Sequence, residues 1–208
     1  MSSPQRRALI AEMCPRGGFI VDVGADHGHV AHAVGAVAVE KHPRRMGRAD
    51  VPWVVADGLS CFRGVDVAII AGMGALTIAG ILERGPAPAE AIVHAPDDPP
   101  TLRLLLDQLG WQIVNERLAP EARRFAEVLH IRPGRNEATG LPFELGPVLL
   151  DGPDPLLQPH LTHLRSWYRG IADATRGRDL EKHQWADERA QFVSEVMRRR
   201  GWMHASGT

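Results

Sequence analysis

The feature that most constrains this chain is a series of short apolar runs that close, one after another, on a carboxylate or a glycine. "FIVDVG" ends at Asp22-Val23-Gly24, "AVAVE" ends at Glu40, and "WVVA" is followed by Asp57-Gly58. "VDVAIIAGMG" ends at Gly72-Met73-Gly74, and further apolar runs follow at Ala91–His94, Trp111–Arg117 and Arg124–Ile131. Runs of this length, rich in Val and Ile and bounded by turn residues, read as strands. Between them, Gly28–Val34, Leu76–Leu82 and Thr101–Leu109 carry apolar residues at helical spacing. Strands alternating with helices predict a mostly parallel sheet covered by helices. The link "KHPRRMGRADVP" holds Pro43, Gly47 and Pro52, so a loop is expected there in place of a long helix. A compact link around Pro120 predicts that the last two strands form an antiparallel hairpin.

The text changes character at "RPGRNEATGLP", residues 132–142, and "FELGPVLLDGPDP" reads as a junction. From Leu156 onward the pattern is helical. Leu157, Leu161, Leu164, Tyr168 and Ile171 form one stripe; after Gly177, Ala186, Ala190, Val193 and Met197 form a second. Two amphipathic helices with a short connection predict an antiparallel helical hairpin. The expected organisation is a sheet domain over 1–150 and a hairpin over 151–208.

The chain has 208 residues, 44% of them hydrophobic, enough for one globular domain with a small appendage. No apolar run approaches the ~20 residues of a membrane span, and "MSSPQRRALIAEM" lacks the apolar core of a signal peptide. A cytoplasmic protein without membrane attachment is therefore expected, with a monomer as the simplest state. Cys14 and Cys61 match neither a disulfide framework nor a zinc spacing. The formal net charge of −1 does not announce a nucleic-acid binder, but residues 160–208 carry nine Lys or Arg against six Asp or Glu. That local excess permits contact with a phosphate backbone.

A strand ending in Asp22-Val23-Gly24 and turning into a helix brings backbone N–H groups and a glycine gap to the carboxyl edge of the sheet, where a ligand can approach closely. Glu40, at the end of the next strand, is placed to accept hydrogen bonds from ribose hydroxyls, and Asp57 to meet an adenine amino group. The dinucleotide pattern G-x-G-x-x-G is absent. Gly24 and Gly28 instead flank Asp26, whose charge repels a pyrophosphate and favours a cationic ligand. S-adenosylmethionine carries an ammonium and a sulfonium and no phosphate, so the charge pattern favours a methyl donor over NAD. His27, His29 and His32 suggest a metal at first sight. His27 and His29 point apart on a helix, however, and no Cys or carboxylate lies at ligand spacing, so no metal is expected.

"VDVGADHGHV", "VADGL", "IIAGMG", "LLDQLGWQIVNERL" and "FELGPVLLDGPDP", in this order, resemble the successive motifs of bacterial tRNA (adenine-22) N1-methyltransferases. The resemblance implies a Rossmann-like class I methyltransferase fold, mostly parallel with an antiparallel last strand, and a C-terminal α-helical hairpin. It implies S-adenosyl-L-methionine as cofactor, tRNA as partner and N1 of a D-loop adenine as the acceptor. Carried onto this chain, Asp22, Gly24, Asp26, His27, Glu40, Asp57, Gly58, Gly72 and Met73 are the expected donor-binding residues. Pro96 and Asp97 are the expected catalytic pair. In two places the chain departs from the family. Q-P-N at the end of the fifth strand is replaced by Ala95-Pro96-Asp97, and the region between Gly24 and Asp57 is shortened. Two alternatives stay open: a methyltransferase of another RNA or a small molecule, and a non-catalytic RNA-binding homologue.

Overall fold

The computed structural model describes residues 3–122 and 124–203. The apolar runs become β1 (Ile20–Val23), β2 (Val37–Glu40), β3 (Trp53–Val55), β4 (Val67–Ala71), β5 (Glu90–His94), β6 (Trp111–Glu121) and β7 (Arg124–Pro133). They form one sheet in the order β3-β2-β1-β4-β5-β7-β6. The first five strands are mutually parallel, and β7 runs antiparallel to both β5 and β6. Because successive strand side chains face opposite ways, each central strand feeds two cores. On one side, Val21, Val23, Ala68, Ile70, Ala91 and Val93 pack with Ile78 and Ile81 of α3 (Ala75–Arg84) and with Leu102 and Leu106 of α4 (Pro99–Gln108). On the other, Ile20, Val67, Ile69 and Ile92 pack with Leu9, Ile10 and Met13 of α1 (Pro4–Met13) and Ala31 of α2 (His29–Val34).

The expected loop between β2 and β3 is present, holding only a 3-10 turn over Pro43–Arg45. The hairpin link lies farther along than expected. Pro120 is inside β6, opposite Phe125, and the terminal pair of the hairpin is Glu121 with Arg124. Pro120 is tolerated because β6 is an edge strand, where one missing N–H costs little. Helix α1 has a sequence signature that the strand pattern overshadows: Pro4 in the first turn, then apolar residues at 9, 10 and 13.

After β7 the chain makes a short helix, α5 (Gly140–Glu144), and is held by a buried ion network. Arg103 of α4, with no exposed surface, donates from Nε to Glu116 of β6 at 2.8 Å and from NH2 to Glu127 of β7 at 2.7 Å. Its NH1 donates to the Glu144 carbonyl at 3.0 Å. The second oxygen of Glu116 accepts the N–H groups of Val148 and Leu149, at 2.8 and 2.9 Å. Burial alone would favour neutral Arg103, but the two glutamates raise its pKa and hold it charged.

The chain divides into two compact units, Met1–Leu149 and Leu150–Thr208. In the second, α6 (Leu157–Thr175) and α7 (Leu180–Arg199) pair across the turn at 176–179, and Asp179 caps α7 by accepting from Lys182 N at 3.0 Å. Leu157, Leu161 and Tyr168 are buried as expected, as are all four small or apolar residues predicted for α7. Leu164 and Ile171 are only half-buried, whereas Ala172 is buried, so the α6 stripe drifts around the helix from the predicted positions. Trp167 and Trp185 stay largely open, in an edge-to-face pair at 6.5 Å. No described helix is long and apolar enough to cross a membrane.

Removing one partner from a buried ion network strands the others without solvent. Arg103→Ala is expected to cost about 3–5 kcal/mol of unfolding free energy. Urea denaturation of the full chain measures this, and a loss below about 1 kcal/mol would show that the network contributes little.

Candidate active site

Both expected carboxylates close parallel strands that lie side by side. Asp22 and Glu40 are buried, 5% and 6% exposed, at the carboxyl ends of β1 and β2. Asp22 Oδ2 accepts the Ala31 N–H of α2 at 3.1 Å, which orients the helix start over the strand end. Burial pushes the Asp22 pKa up to about 7, and the Ala31 bond offsets only part of that shift. Glu40 Oε1 accepts His42 N at 3.1 Å.

The turn between them is built differently from a phosphate cradle. The N–H groups of Gly24 and Ala25 both donate to the Val39 carbonyl of β2, at 2.8 and 3.1 Å, and Gly28 N donates to Ala25 O at 2.8 Å. Those donors are spent holding the turn. What the turn presents is a bend with positive φ at Gly24, Asp26 and Gly28. Asp26, at φ 50°, is the only described non-glycine residue in that region, and it lies 3.7 Å from His27 with both side chains exposed. A Cβ on Gly24 would overlap the methyl group of Met73, so Met73 lies directly over the glycine gap.

The other expected donor residues are placed less uniformly. Asp57 is exposed and accepts Lys41 Nζ at 2.8 Å, and that hydrogen bond is the main reason its pKa is lowered. Gly58 is buried, with Ile81 filling the space beside it. Gly72, at φ 81°, has open space where a side chain would stand. Asp22, Gly24, Glu40 and Met73 thus come together around the β1 and β2 ends, while Gly58 faces α3.

At the end of β5, Ala95 is buried in the core and Asp97 is exposed. The capping residue of α4 is Asp98, which accepts Thr101 N at 3.1 Å. Asp97 is left free of that duty and meets Arg124 of β7 at 3.2 Å. Arg124 also lies 3.7 Å from Glu121, which pairs with Arg6 of α1, and Arg6 NH1 lies 3.2 Å from His94 Nε2. His94 is buried and its pKa is lowered, chiefly by desolvation. With Nε2 accepting from Arg6, Nδ1–H donates to the Glu127 carbonyl at 2.9 Å. The sequence does not show this chain of alternating charges, because Arg6 lies 115 residues from Glu121 and Asp97 lies 27 from Arg124. Among the described residues no cluster of three His, Cys, Asp or Glu side chains could hold a metal, and both cysteines are free.

A sheet with this strand order, a reversed seventh strand and carboxylates at the ends of its first two strands defines a Rossmann-like methyltransferase. A family model described as tRNA (adenine(22)-N(1))-methyltransferase, TrmK, matches residues 38–199. The chain belongs to the TrmK family. Among solved structures it is similar to the Streptococcus pneumoniae Sp1610 protein in complex with S-adenosyl-L-methionine, at 26% identity and a TM-score of 0.76, covering 95% of this chain and 100% of that one. The B. subtilis m1A22 tRNA methyltransferase TrmK matches at 20% identity and a TM-score of 0.75, over 94% of this chain and 99% of that one. M. capricolum TrmK, in complex with S-adenosyl-homocysteine, matches at 17% identity and a TM-score of 0.75, over 95% and 98%. The last two establish likeness of fold alone. No curated protein matches this chain in sequence.

The raised pKa of Asp22 makes a signed prediction. The folded protein holds its proton to about pH 7, whereas the unfolded chain releases it near pH 4, so this group makes folding less favourable as pH rises through that window. Asp22→Asn should therefore raise the stability of the ligand-free protein at pH 7.5 by roughly 1–3 kcal/mol, with the advantage gone below about pH 4. Thermal melts of both proteins across pH 4–8 test this, and parallel curves would contradict it.

Proposed function

We propose that this chain transfers a methyl group from S-adenosylmethionine to N1 of adenine 22 of tRNA. The observation that carries the reading is the pair of buried carboxylates, Asp22 and Glu40, flanking a glycine turn in a chain of the TrmK family. The residues present suit such a donor. The turn spends the Gly24 and Ala25 N–H groups on Val39 and offers carboxylates beside them, which disfavours a phosphate and favours a cation with hydroxyl groups.

In this reading Glu40 accepts the ribose hydroxyls with the carboxylate capacity that His42 N leaves over. Gly24 and Gly72 give the close approach that a side chain would block, and Met73 over Gly24 shifts to line the donor's apolar part. Asp22 and Asp26 supply negative charge near the ammonium, while His27 orders the turn between them. Asp57 meets the adenine edge with the oxygen that Lys41 does not use, and Gly58 seats that segment against α3. Bound there, S-adenosylmethionine supplies an electrophilic methyl on a sulfonium, so the chain needs no nucleophile of its own.

What remains for the protein is to hold the acceptor base in line and to accommodate the positive charge that methylation spreads from N1 to the N6 amino group. Asp97, beside Pro96, is the acceptor for that amino hydrogen. It is a charged substitute for the family's neutral asparagine carbonyl, and Arg124 holds it in place. Because D-loop bases are stacked or paired in folded tRNA, the adenine has to be extruded to reach it. The basic excess of the C-terminal hairpin suits contact with the tRNA backbone.

Incubation with labelled donor and total bacterial tRNA, followed by nucleoside mass spectrometry, should yield 1-methyladenosine. A protein that binds donor and methylates no tRNA would favour the non-catalytic reading. Glu40→Ala should weaken donor binding by about 1–3 kcal/mol in calorimetry, the scale of charge-assisted hydrogen bonds. A cationic donor favours ionised Asp22, so wild-type affinity should rise with pH up to about 7. Asp22→Asn should flatten that rise. Asp97→Asn should change methyl transfer several-fold while donor affinity holds; unchanged turnover would remove Asp97 from the chemistry.

A further inference from the structure

The link between β2 and β3 is the most basic loop of the sheet unit, and the donor site does not use its arginines. Residues 41–50 carry Lys41, Arg44, Arg45 and Arg48 against a single carboxylate, Asp50. Lys41 is committed to Asp57. Arg44, Arg45 and Arg48 are exposed, and among the described residues none of them has an ion-pair partner. Three uncompensated guanidinium groups within five residues repel one another, so a bound anion would relieve a cost the free protein bears.

The link is also built to hold its shape. Pro43 and Pro52 stiffen its two ends, and the 3-10 turn is closed by Arg45 N to His42 O at 2.9 Å and Met46 N to Pro43 O at 3.2 Å. Gly47 lies so close to the His27 backbone that a Cβ there would come within 2.5 Å of it. Ala49 and the Trp53 ring press against Gly28 in the same way, and Trp53 Nε1 donates to Ala49 O at 3.3 Å. The link is thus seated on the leading turn of α2. Between the two runs an open groove of about 710 Å³, with His27, His29 and His32 on one wall and Met46–Asp50 on the other. Its lining mixes Met46 and Ala49 with Arg48, Asp50 and the three histidines, so one guanidinium stands on the groove wall while Arg44 and Arg45 stand on the 3-10 turn that leads into it.

We propose that this link and groove form a contact surface for the phosphate backbone of the tRNA substrate, with Arg44, Arg45 and Arg48 as the phosphate ligands. Guanidinium groups bind phosphate bidentately, and a stiff loop spends little ordering entropy in presenting them. The inference rests on the tRNA reading of the site and adds to it a second contact area within the sheet unit, apart from the C-terminal hairpin.

The test compares the full-length wild type with the triple variant Arg44→Ala/Arg45→Ala/Arg48→Ala. It measures binding of labelled total tRNA over a salt series, donor binding by calorimetry, and thermal melting. Three lost phosphate contacts should lower the magnitude of the slope of log affinity against log salt by about 2–3 and weaken binding roughly tenfold or more at moderate salt. Donor affinity and melting temperature should hold, and Arg→Lys at the same three positions should restore most of the salt slope. Equal tRNA affinity and slope in wild type and triple variant would overturn this inference alone. A loss of affinity with no change in slope would assign the arginines a structural role and overturn it as well. A wild type that binds no tRNA at any salt would overturn both this inference and the proposed function.

Discussion

The Arg103 guanidinium fixes the half of the sheet that the parallel strands alone do not determine. Parallel strands joined by short crossovers have one easy arrangement, but a terminal antiparallel hairpin can slide along its neighbour. Arg103 touches β6 through Glu116, β7 through Glu127 and the end of α5 through the Glu144 carbonyl. Glu116 in turn gathers the Val148 and Leu149 N–H groups. One side chain therefore sets the register of the hairpin, the seat of α4 and the path by which the chain leaves the sheet. Since β7 pairs directly with β5, the same contact fixes where Arg124 stands relative to Asp97.

Much of the sheet was legible because burial leaves a periodic trace. Every strand was visible as an apolar run, and the two long C-terminal helices as stripes, because those patterns depend only on neighbours in the chain. The end of β6 was not, since Pro120 carries a turn signal that only the strand's edge position overrides. The ion networks were hidden for a different reason. Arg103, Glu116 and Glu127 look like ordinary surface charges in the sequence, and nothing local shows that three distant segments bring them together. At the site, Asp22 and Glu40 could be read from their strand ends, whereas the pairing of Asp57 with Lys41 and of Asp97 with Arg124 depends on tertiary placement.

The departures from the family pattern fall on opposite sides of β1. On the β5 side, Ala95 is core and Asp97 is balanced by Arg124, so the substitution of charge for amide comes with a counter-charge. On the β2 side, the shortened region holds a proline-stiffened link that is the most basic loop of the sheet unit. Each change alters the electrostatic surface near the strand ends while leaving the strand order intact.

The double acceptance by the Val39 carbonyl has a mechanical consequence. Val39 precedes Glu40, and it takes the N–H groups of both Gly24 and Ala25. The bend after β1 and the carboxylate ending β2 are thereby pinned to one another and move as a single body. A ligand that spanned them would meet two edges held at a constant separation.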